Sequence, residues 1–349
     1  MTTPLERWQA VLNRELPDRV PTDFWSTPEV KERLLKELNC ATDDELWRKL
    51  QIDKLHSVGP RYAGPERDHL WHLKHRTVSY ADGAGTYDEV IYHPLAEAST
   101  IEDIDAFGWP SADWYDYSEI RQEVDRCHKA GWAVHVGHYE PYLLYCNLRG
   151  MENAFMDLVS EPELADAILD RIFGFHYALM ARSLEAAGEG NIEVSYIAED
   201  LGTQTGLLMS EALVDRFLKP KMKQMIELAH SFGSKAFHHS DGAVRPLIAG
   251  MIDIGIDLLN PIQWRCPGMA LEGLKRDFGD KLVFHGAVDN QQTLPYGTVE
   301  DVIAEVKQNI EILGKDGGYV LAPCHNIQPL TTTEKIIAMY KTAREYGVY

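Results

Sequence analysis

One pattern restricts this chain more than any other: short runs rich in β-branched, aromatic and other apolar residues alternate with segments of helical spacing. The runs cover residues 132–140, 192–199, 236–241, 256–263, 282–289 and 318–325. Between and after them lie helix-period stretches. In residues 298–313, Val302, Val306, Ile310 and Leu313 recur every three or four positions and Gly314 ends the helix. Residues 331–346 follow a capping box from Thr331 to Glu334 and stop at Gly347. At the start, Thr3-Pro4-Leu5-Glu6 is a capping box with proline in the first helical position, and Leu5, Trp8, Val11 and Leu12 mark an apolar helix face. Residues 19–25 and 52–58 read as two earlier strands, with one charged, leucine-rich helical stretch over 28–50 between them. About eight strand–helix units result, which argue for a single closed (β/α)8 TIM barrel; an open doubly wound sheet is the alternative if one or two strands fail.

The length of 349 residues accommodates such a barrel as one domain over 1–349, although ~150 residues per domain would also allow two. Residues 61–129 break the rhythm. They hold Gly64-Pro65, Asp82-Gly83-Ala84-Gly85, a strand-like run over 87–92 and Trp109-Pro110. The expectation is a β-rich insertion between the second and third strands. Acidic residues outnumber basic ones 54 to 34, a net charge of −20, which repels phosphate backbones and anionic lipid headgroups. Nucleic acid and membrane are therefore not expected partners. The N-terminus lacks a basic segment followed by an apolar one, and no apolar run approaches the ~18 residues of a membrane span. Five cysteines without a CxxC pair fit a reducing compartment, so a cytoplasmic protein is expected.

In a barrel of this kind, the active site forms where the strands end. The ends here carry Asp23 and Trp25, Gly59, His138 and Glu140, Glu199 and Asp200, His239-Ser240-Asp241, Gln263-Trp264, His285 and Asp289, and Cys324-His325-Asn326. So many polar groups in an apolar mouth are costly unless paired or liganded, which implies chemistry or an ion. His239 and Asp241 share a strand face, and an imidazole beside a carboxylate suits a divalent metal such as zinc. Asp241 equally suits a helix cap and His239 a hydrogen-bonded core residue. Cys324 and His325 alternate faces, so one of them belongs in the mouth; a buried structural thiol is the other reading of Cys324. Glu199 and Asp200, followed by Gln204, fit either a general acid or a helix cap, and Asp289 has the same two readings. Glu199 and Asp289 also fall where barrel glycosidases place their acid and nucleophile. His72, His75 and His93 read as solvated.

Several motifs in order resemble the uroporphyrinogen decarboxylase superfamily, which includes zinc-dependent methyltransferases acting with corrinoids. They are Glu6-Arg-Trp, Pro17-Asp-Arg-Val-Pro21, Arg149-Gly-Met-Glu-Asn153, Glu199-Asp-Leu-Gly-Thr-Gln204, His239-Ser-Asp-Gly242, Asn260-Pro-Ile-Gln263, Gly286-Ala-Val-Asp-Asn-Gln291, Thr293-Leu-Pro295 and Ala322-Pro-Cys-His-Asn-Ile-Gln-Pro329. The resemblance spans nearly the whole chain and implies a single (β/α)8 barrel and a homodimer. The decarboxylases carry an N-terminal Arg-Gln-Ala-Gly-Arg segment for the porphyrinogen carboxylates; the corresponding stretch here, Asp23-Phe-Trp-Ser-Thr-Pro-Glu29, has no arginine. The zinc methyltransferases carry His-x-Cys-Gly and a later cysteine, replaced here by His239-Ser-Asp241-Gly and by His325, with Cys324 one residue earlier.

The altered set of His239, Asp241, His325 and Cys324 is harder than a thiolate set and better suited to an oxygen than to a soft thiol. The resemblance therefore implies a zinc-dependent methyltransferase moving a methyl group from a small, methoxylated aromatic compound to a corrinoid (cobalamin) protein. Glu199, Asp200 and Asp289 are its catalytic candidates, and Trp25, His138, Gln204 and Gln263 its substrate-binding candidates. Aromatic residues of the insertion (Tyr62, Trp71, Tyr87, Tyr92, Trp109 and Trp114) are further candidates for the substrate pocket. A cofactor-free decarboxylase of a small carboxylated substrate, with His325 and Asp289 as proton donors, is the alternative, and a non-catalytic corrinoid-docking barrel a further one.

Overall fold

A computed structural model describes residues 2–80, 83 and 85–349, with the side chain of His138 outside that description. Seven parallel strands form one curled sheet, in the order β1 (His56–Ser57), β2 (Val134–Tyr139), β3 (Val194–Ile197), β4 (Lys235–His239), β5 (Leu258–Asn260), β6 (Val283–Val288) and β7 (Tyr319–Pro323). Neighbours in chain order are neighbours in space, as right-handed βα crossovers require. The architecture is a parallel α/β sheet of the TIM-barrel type.

Residues 19–25 were expected as a strand, but this segment runs beside β7 only through isolated parallel bridges, Thr22 to Leu321 and, just beyond it, Ser26 to Ile327. The reason is visible in the donors. The Thr22 N–H goes to the Asp53 carboxylate (3.0 Å) and the Phe24 N–H to the Asp23 carboxylate (2.8 Å), while Pro21 has none. Side chains thus take hydrogen bonds that a continuous ladder needs.

Strand alternation sorts the side chains into two layers. Val194 and Tyr196, Phe237, Leu258, Val283 and Val320 face the concave side, where they pack with Trp8, Val11 and Leu12 of the first helix, Pro4–Leu12. That helix closes the end of the curled sheet opposite the strand C-termini. Its start uses the expected capping box, Thr3 with Glu6. Val134, Ile197, Ala236, Leu259, Phe284 and Leu321 face the surrounding helices. Arg7 and Arg19 both bind the buried Asp53 carboxylate, tying the first helix to the segment before β1.

The stretch over 28–50 forms two helices rather than one, Pro28–Glu37 and Asp43–Leu50. Asn39 adopts a left-handed conformation (φ 52°), and the Thr42 hydroxyl caps the second helix by accepting from Glu45 N. The last helix, Thr333–Tyr346, is capped by Thr332, one residue later than the Thr331–Glu334 box implies. Between β1 and β2, two antiparallel pairs (Lys74–Tyr80 with Gly85–Tyr92, and Arg61–Tyr62 with Tyr115–Asp116) stand outside the main sheet. The same segment also holds the helices Ile101–Asp105 and Ile120–Ala130, so it is less β-rich than its turns suggest. Of the turn signal at 82–85, Asp82 and Ala84 lie outside the described residues. Among the described residues, no helix is long and apolar enough to cross a membrane.

Trp8 is fully buried, and its indole N–H donates to the Asp53 carbonyl oxygen at 2.6 Å. Trp8→Ala removes that plug and should lower unfolding free energy by about 3–5 kcal/mol in a denaturant titration.

Candidate active site

Because the strands are parallel, their C-terminal ends and following loops meet on one side. There they enclose a cavity of about 540 Å3, lined in part by Asp23, Trp25, Lys54, Glu140, Tyr196, Asp200, Phe237, His239 and His325. The aromatic contribution comes from Trp25, Tyr196 and Phe237. Tyr196 and Phe237 stack with ring centroids 4.8 Å apart, and Trp25 tilts over both at 6.1 and 6.2 Å. The aromatic residues of the insertion do not line this cavity. Trp71, for instance, is buried edge-on against Phe175.

His239 ends β4 and is buried, with Asp241 and His325 half-buried beside it. One ligand atom from each of these three lies within 4.8 Å of the others. His239 Nε2 is 3.9 Å from Asp241 Oδ1 and 3.6 Å from Asp200 Oδ1. The alternation argument holds: His238 points to the opposite side, where its Nδ1 meets the Ile197 carbonyl oxygen at 3.0 Å. Asp241 is fixed by its backbone, its N–H donating to Asp200 Oδ1 at 3.0 Å. The next residue, Gly242, has φ 86° and no room for a Cβ against the Thr203 carbonyl.

Asp241 Oδ1 is buried and has no hydrogen-bond donor. A desolvated carboxylate oxygen without a donor is costly, and a cation would relieve it. Two ligand atoms each ~2.1 Å from one ion sit at most ~4.2 Å apart, so the trio is slightly open yet close to a zinc-binding spacing. Two imidazoles and a carboxylate with room beside them match the donor set of a catalytic zinc site. The charges agree. Burial raises the Asp241 carboxyl, with Asp200 adding to the effect and His239 and His325 opposing it. Burial also raises Glu140, against the pull of His239 and with further push from Asp200 and Asp241. Carboxylates crowd this mouth, and Lys54 is the one lysine or arginine among the described lining residues.

Lys54 is itself engaged, its Nζ 2.9 Å from Asp23 Oδ1. Asp23 also accepts from the Phe24 N–H (2.8 Å), the Trp25 indole (2.8 Å) and the Leu55 N–H (3.3 Å), and lies 3.3 Å from His285 Nε2. Burial alone would raise this carboxyl, but Lys54 and His285 outweigh it and hold it well below the usual range. From His285 the contacts continue inward: Nδ1 to Asn260 Nδ2 at 2.7 Å, and Asn260 Oδ1 to His239 Nδ1 at 2.5 Å.

The remaining candidates lie elsewhere. Glu199 is fully buried and accepts from the Tyr142 N–H at 2.9 and 3.0 Å, capping the helix Pro141–Arg149. Asp289 accepts from the backbone of Gln291, Gln292 and Thr293 and pairs with Arg265 Nε at 2.5 Å. Asp289 meets the start of the helix that follows it, whereas Glu199 meets an earlier helix rather than the next one, and neither lines the cavity. Gln263 accepts from the Gly242 N–H at 2.5 Å, and Gln204 from the Cys266 thiol at 3.7 Å, so both brace loops. Cys324 turns its thiol toward the Ile262 carbonyl oxygen at 3.4 Å, and burial pushes it well above the ordinary range, which disfavours the thiolate form. The side chain of His138 lies outside the described residues.

Sequence reasoning did not single out Lys54, Tyr196, Phe237 or Asn260. Phe237 was within reach of the alternation, standing two residues before His239. Lys54 lies in the stretch 52–58 read as a strand, but it stands two residues before the observed β1 begins, and no strand end pointed it at the mouth.

The family model for uroporphyrinogen decarboxylase (URO-D) matches residues 3–346. The chain belongs to the uroporphyrinogen decarboxylase family. No curated protein matches its sequence. Among solved structures, it is similar to a methyltransferase from Methanosarcina mazei, with a TM-score of 0.72 and 21% identity over 99% of each chain, which supports the fold. It is also similar, at a TM-score of 0.43 and 12% identity over 71% of this chain and 91% of the other, to D-psicose 3-epimerase from Clostridium cellulolyticum H10.

The depressed Asp23 carboxyl has a measurable consequence. A group held below its unfolded pKa contributes stability that is present above about pH 4 and is lost as pH falls below it. Asp23→Asn should therefore be less stable than the wild type at pH 7, with the gap narrowing toward pH 3 in urea titrations. A gap independent of pH would contradict the assignment.

Proposed function

We propose that this protein is a zinc-dependent methyltransferase that moves a methyl group from a small, methoxylated aromatic compound to a corrinoid carried by a partner protein. The observation that carries this reading is the gathering of His239, Asp241 and His325 around the donorless Asp241 oxygen, at the edge of an aromatic-lined cavity. Membership in the family and the likeness to a methyltransferase in overall shape support it.

His239, Asp241 and His325 would hold the ion. When bound, zinc supplies Lewis acidity toward the substrate oxygen, which a poor phenolate leaving group needs. The residues around it do the rest. Trp25, Tyr196 and Phe237 offer flat apolar surfaces that hold an aromatic ring and exclude water. Asp200 holds the Asp241 backbone and so keeps its carboxylate beside His239. In the transfer, the C–O bonding pair stays on the substrate oxygen and the methyl group passes to the reduced corrinoid. The acidic, arginine-free mouth disfavours a polycarboxylate such as a porphyrinogen and leaves a neutral aromatic compound as the better fit.

Purified protein should bind about one zinc per chain. With reduced cobalamin as acceptor and a panel of methoxylated aromatic compounds as donors, the appearance of methylcobalamin reports turnover. Asp241→Ala and His325→Ala should each lower zinc content and cut turnover by at least ~100-fold, with unchanged far-UV circular dichroism. Full turnover after chelation would overturn the metal-dependent reading, and release of carbon dioxide from a carboxylated substrate by the zinc-free protein would favour a lyase.

A further inference from the structure

We propose that a buried hydrogen-bond chain, Asp23 to His285 to Asn260, fixes the tautomer and the orientation of His239 so that its Nε2 lone pair faces Asp241 and His325. Asn260 and His285 are then positioning residues of the site. The inference rests on the metal-binding reading above for its use, but its geometry stands independently of it.

The direction of every bond follows from what each group can do. An ionised carboxylate only accepts, and Asp23 already receives Lys54, the Trp25 indole and two backbone N–H groups. Facing it at 3.3 Å, His285 Nε2 must carry a hydrogen. A neutral imidazole has one N–H, so His285 Nδ1 is left as an acceptor. The partner at 2.7 Å must therefore be the Asn260 amide nitrogen, whose second hydrogen faces the His285 carbonyl oxygen at 3.4 Å. This turns the Asn260 oxygen toward His239 Nδ1 at 2.5 Å. An amide oxygen accepts only, so His239 carries its hydrogen on Nδ1 and leaves Nε2 bare. The reverse Asn260 orientation would set its oxygen against two acceptors on His285.

Burial makes the order strict. Asp23, His239, Asn260 and His285 are between 0 and 2% exposed, so a mismatch anywhere along the chain leaves a polar group unpaired. The sheet supplies the spacing: His239 stands opposite Asn260 in the register of β4 with β5, and His285 lies on the next strand, β6. A hydrogen-bonded Nδ1 also raises the ligand basicity of Nε2 and stops the ring from turning.

The test uses metal-free, 15N-histidine-labelled protein at pH 8, with the His239 signals assigned by their loss in His239→Gln. Long-range 1H–15N correlations should place the wild-type hydrogen on Nδ1. Asn260→Leu keeps the volume but removes the acceptor, so an Nε2–H population should appear at His239. Zinc affinity, read by competition with a chromophoric chelator, should fall about 10–100-fold. His285→Phe should shift both readouts the same way, although His285 is not a ligand. Asn260→Asp restores an acceptor for His239 Nδ1 and should bring the Nδ1–H signal back, which a purely structural role would not predict. A wild-type His239 protonated on Nε2 would overturn the proposal, as would a folded Asn260→Leu with an unmoved tautomer. Should Asn260→Leu fail to fold, the wild-type tautomer and His285→Phe decide the matter. An Nδ1–H signal in a wild type that binds no zinc would sink the metal reading alone.

Discussion

The parallel register of the central strands is the constraint on which the site depends. Phe237 pairs with Leu258, His239 with Asn260 and Phe284 with Tyr319, so residues of like orientation line up across strands. A slip of one residue on β4 would send His239 toward the helices and bring His238 to the concave face. The hydrophobic layer beneath prevents that slip. Phe237 is locked between Tyr196 and the Trp25 ring, and Trp8 closes the layer from below. Apolar packing thus sets the register, and the register places the polar chain one layer above it.

That polar layer is divided between two tasks. Around Asp23, every oxygen lone pair is met by a donor, and the carboxylate is a fixed negative end for the chain through His285 and Asn260. Around Asp241, the opposite holds: one oxygen is buried without a donor, with Asp200 and Glu140 nearby. Two carboxylates a short distance apart thus have different fates because their surroundings differ, one saturated and one left open. The open one lies beside two imidazoles, where a divalent cation fits the charge.

The polar groups of the mouth are oxygen and nitrogen donors rather than thiolates. Asp241 and His325 stand beside His239, and Cys324 is withdrawn against Ile262. Such donors are hard ligands, and the walls beside them are flat aromatic faces of Trp25, Tyr196 and Phe237. Asp23 and Trp25 contribute to the same mouth, Asp23 by holding Lys54 and Trp25 by its ring over Tyr196 and Phe237.

Much of this was legible in the sequence. The six later strands follow from runs of apolar residues between helix-period segments, and the pairing of His239 with Asp241 follows from a two-residue period. The carboxylates were not sortable, because Glu199, Asp200, Asp241 and Asp289 all follow strands and all suit a helix cap. Only the folded chain separates Glu199 and Asp289, which take backbone N–H groups, from Asp241, which takes none. The sequence by itself determined the alternating α/β pattern, the family and the residues that reach the strand ends, because these depend on local periodicity and composition. Tertiary structure alone decided which of those residues share a cavity, that Lys54 enters it ahead of β1 to pair with Asp23, and that Asn260 joins His239 to His285. Those facts depend on distances between strands far apart in the chain, which no local spacing encodes.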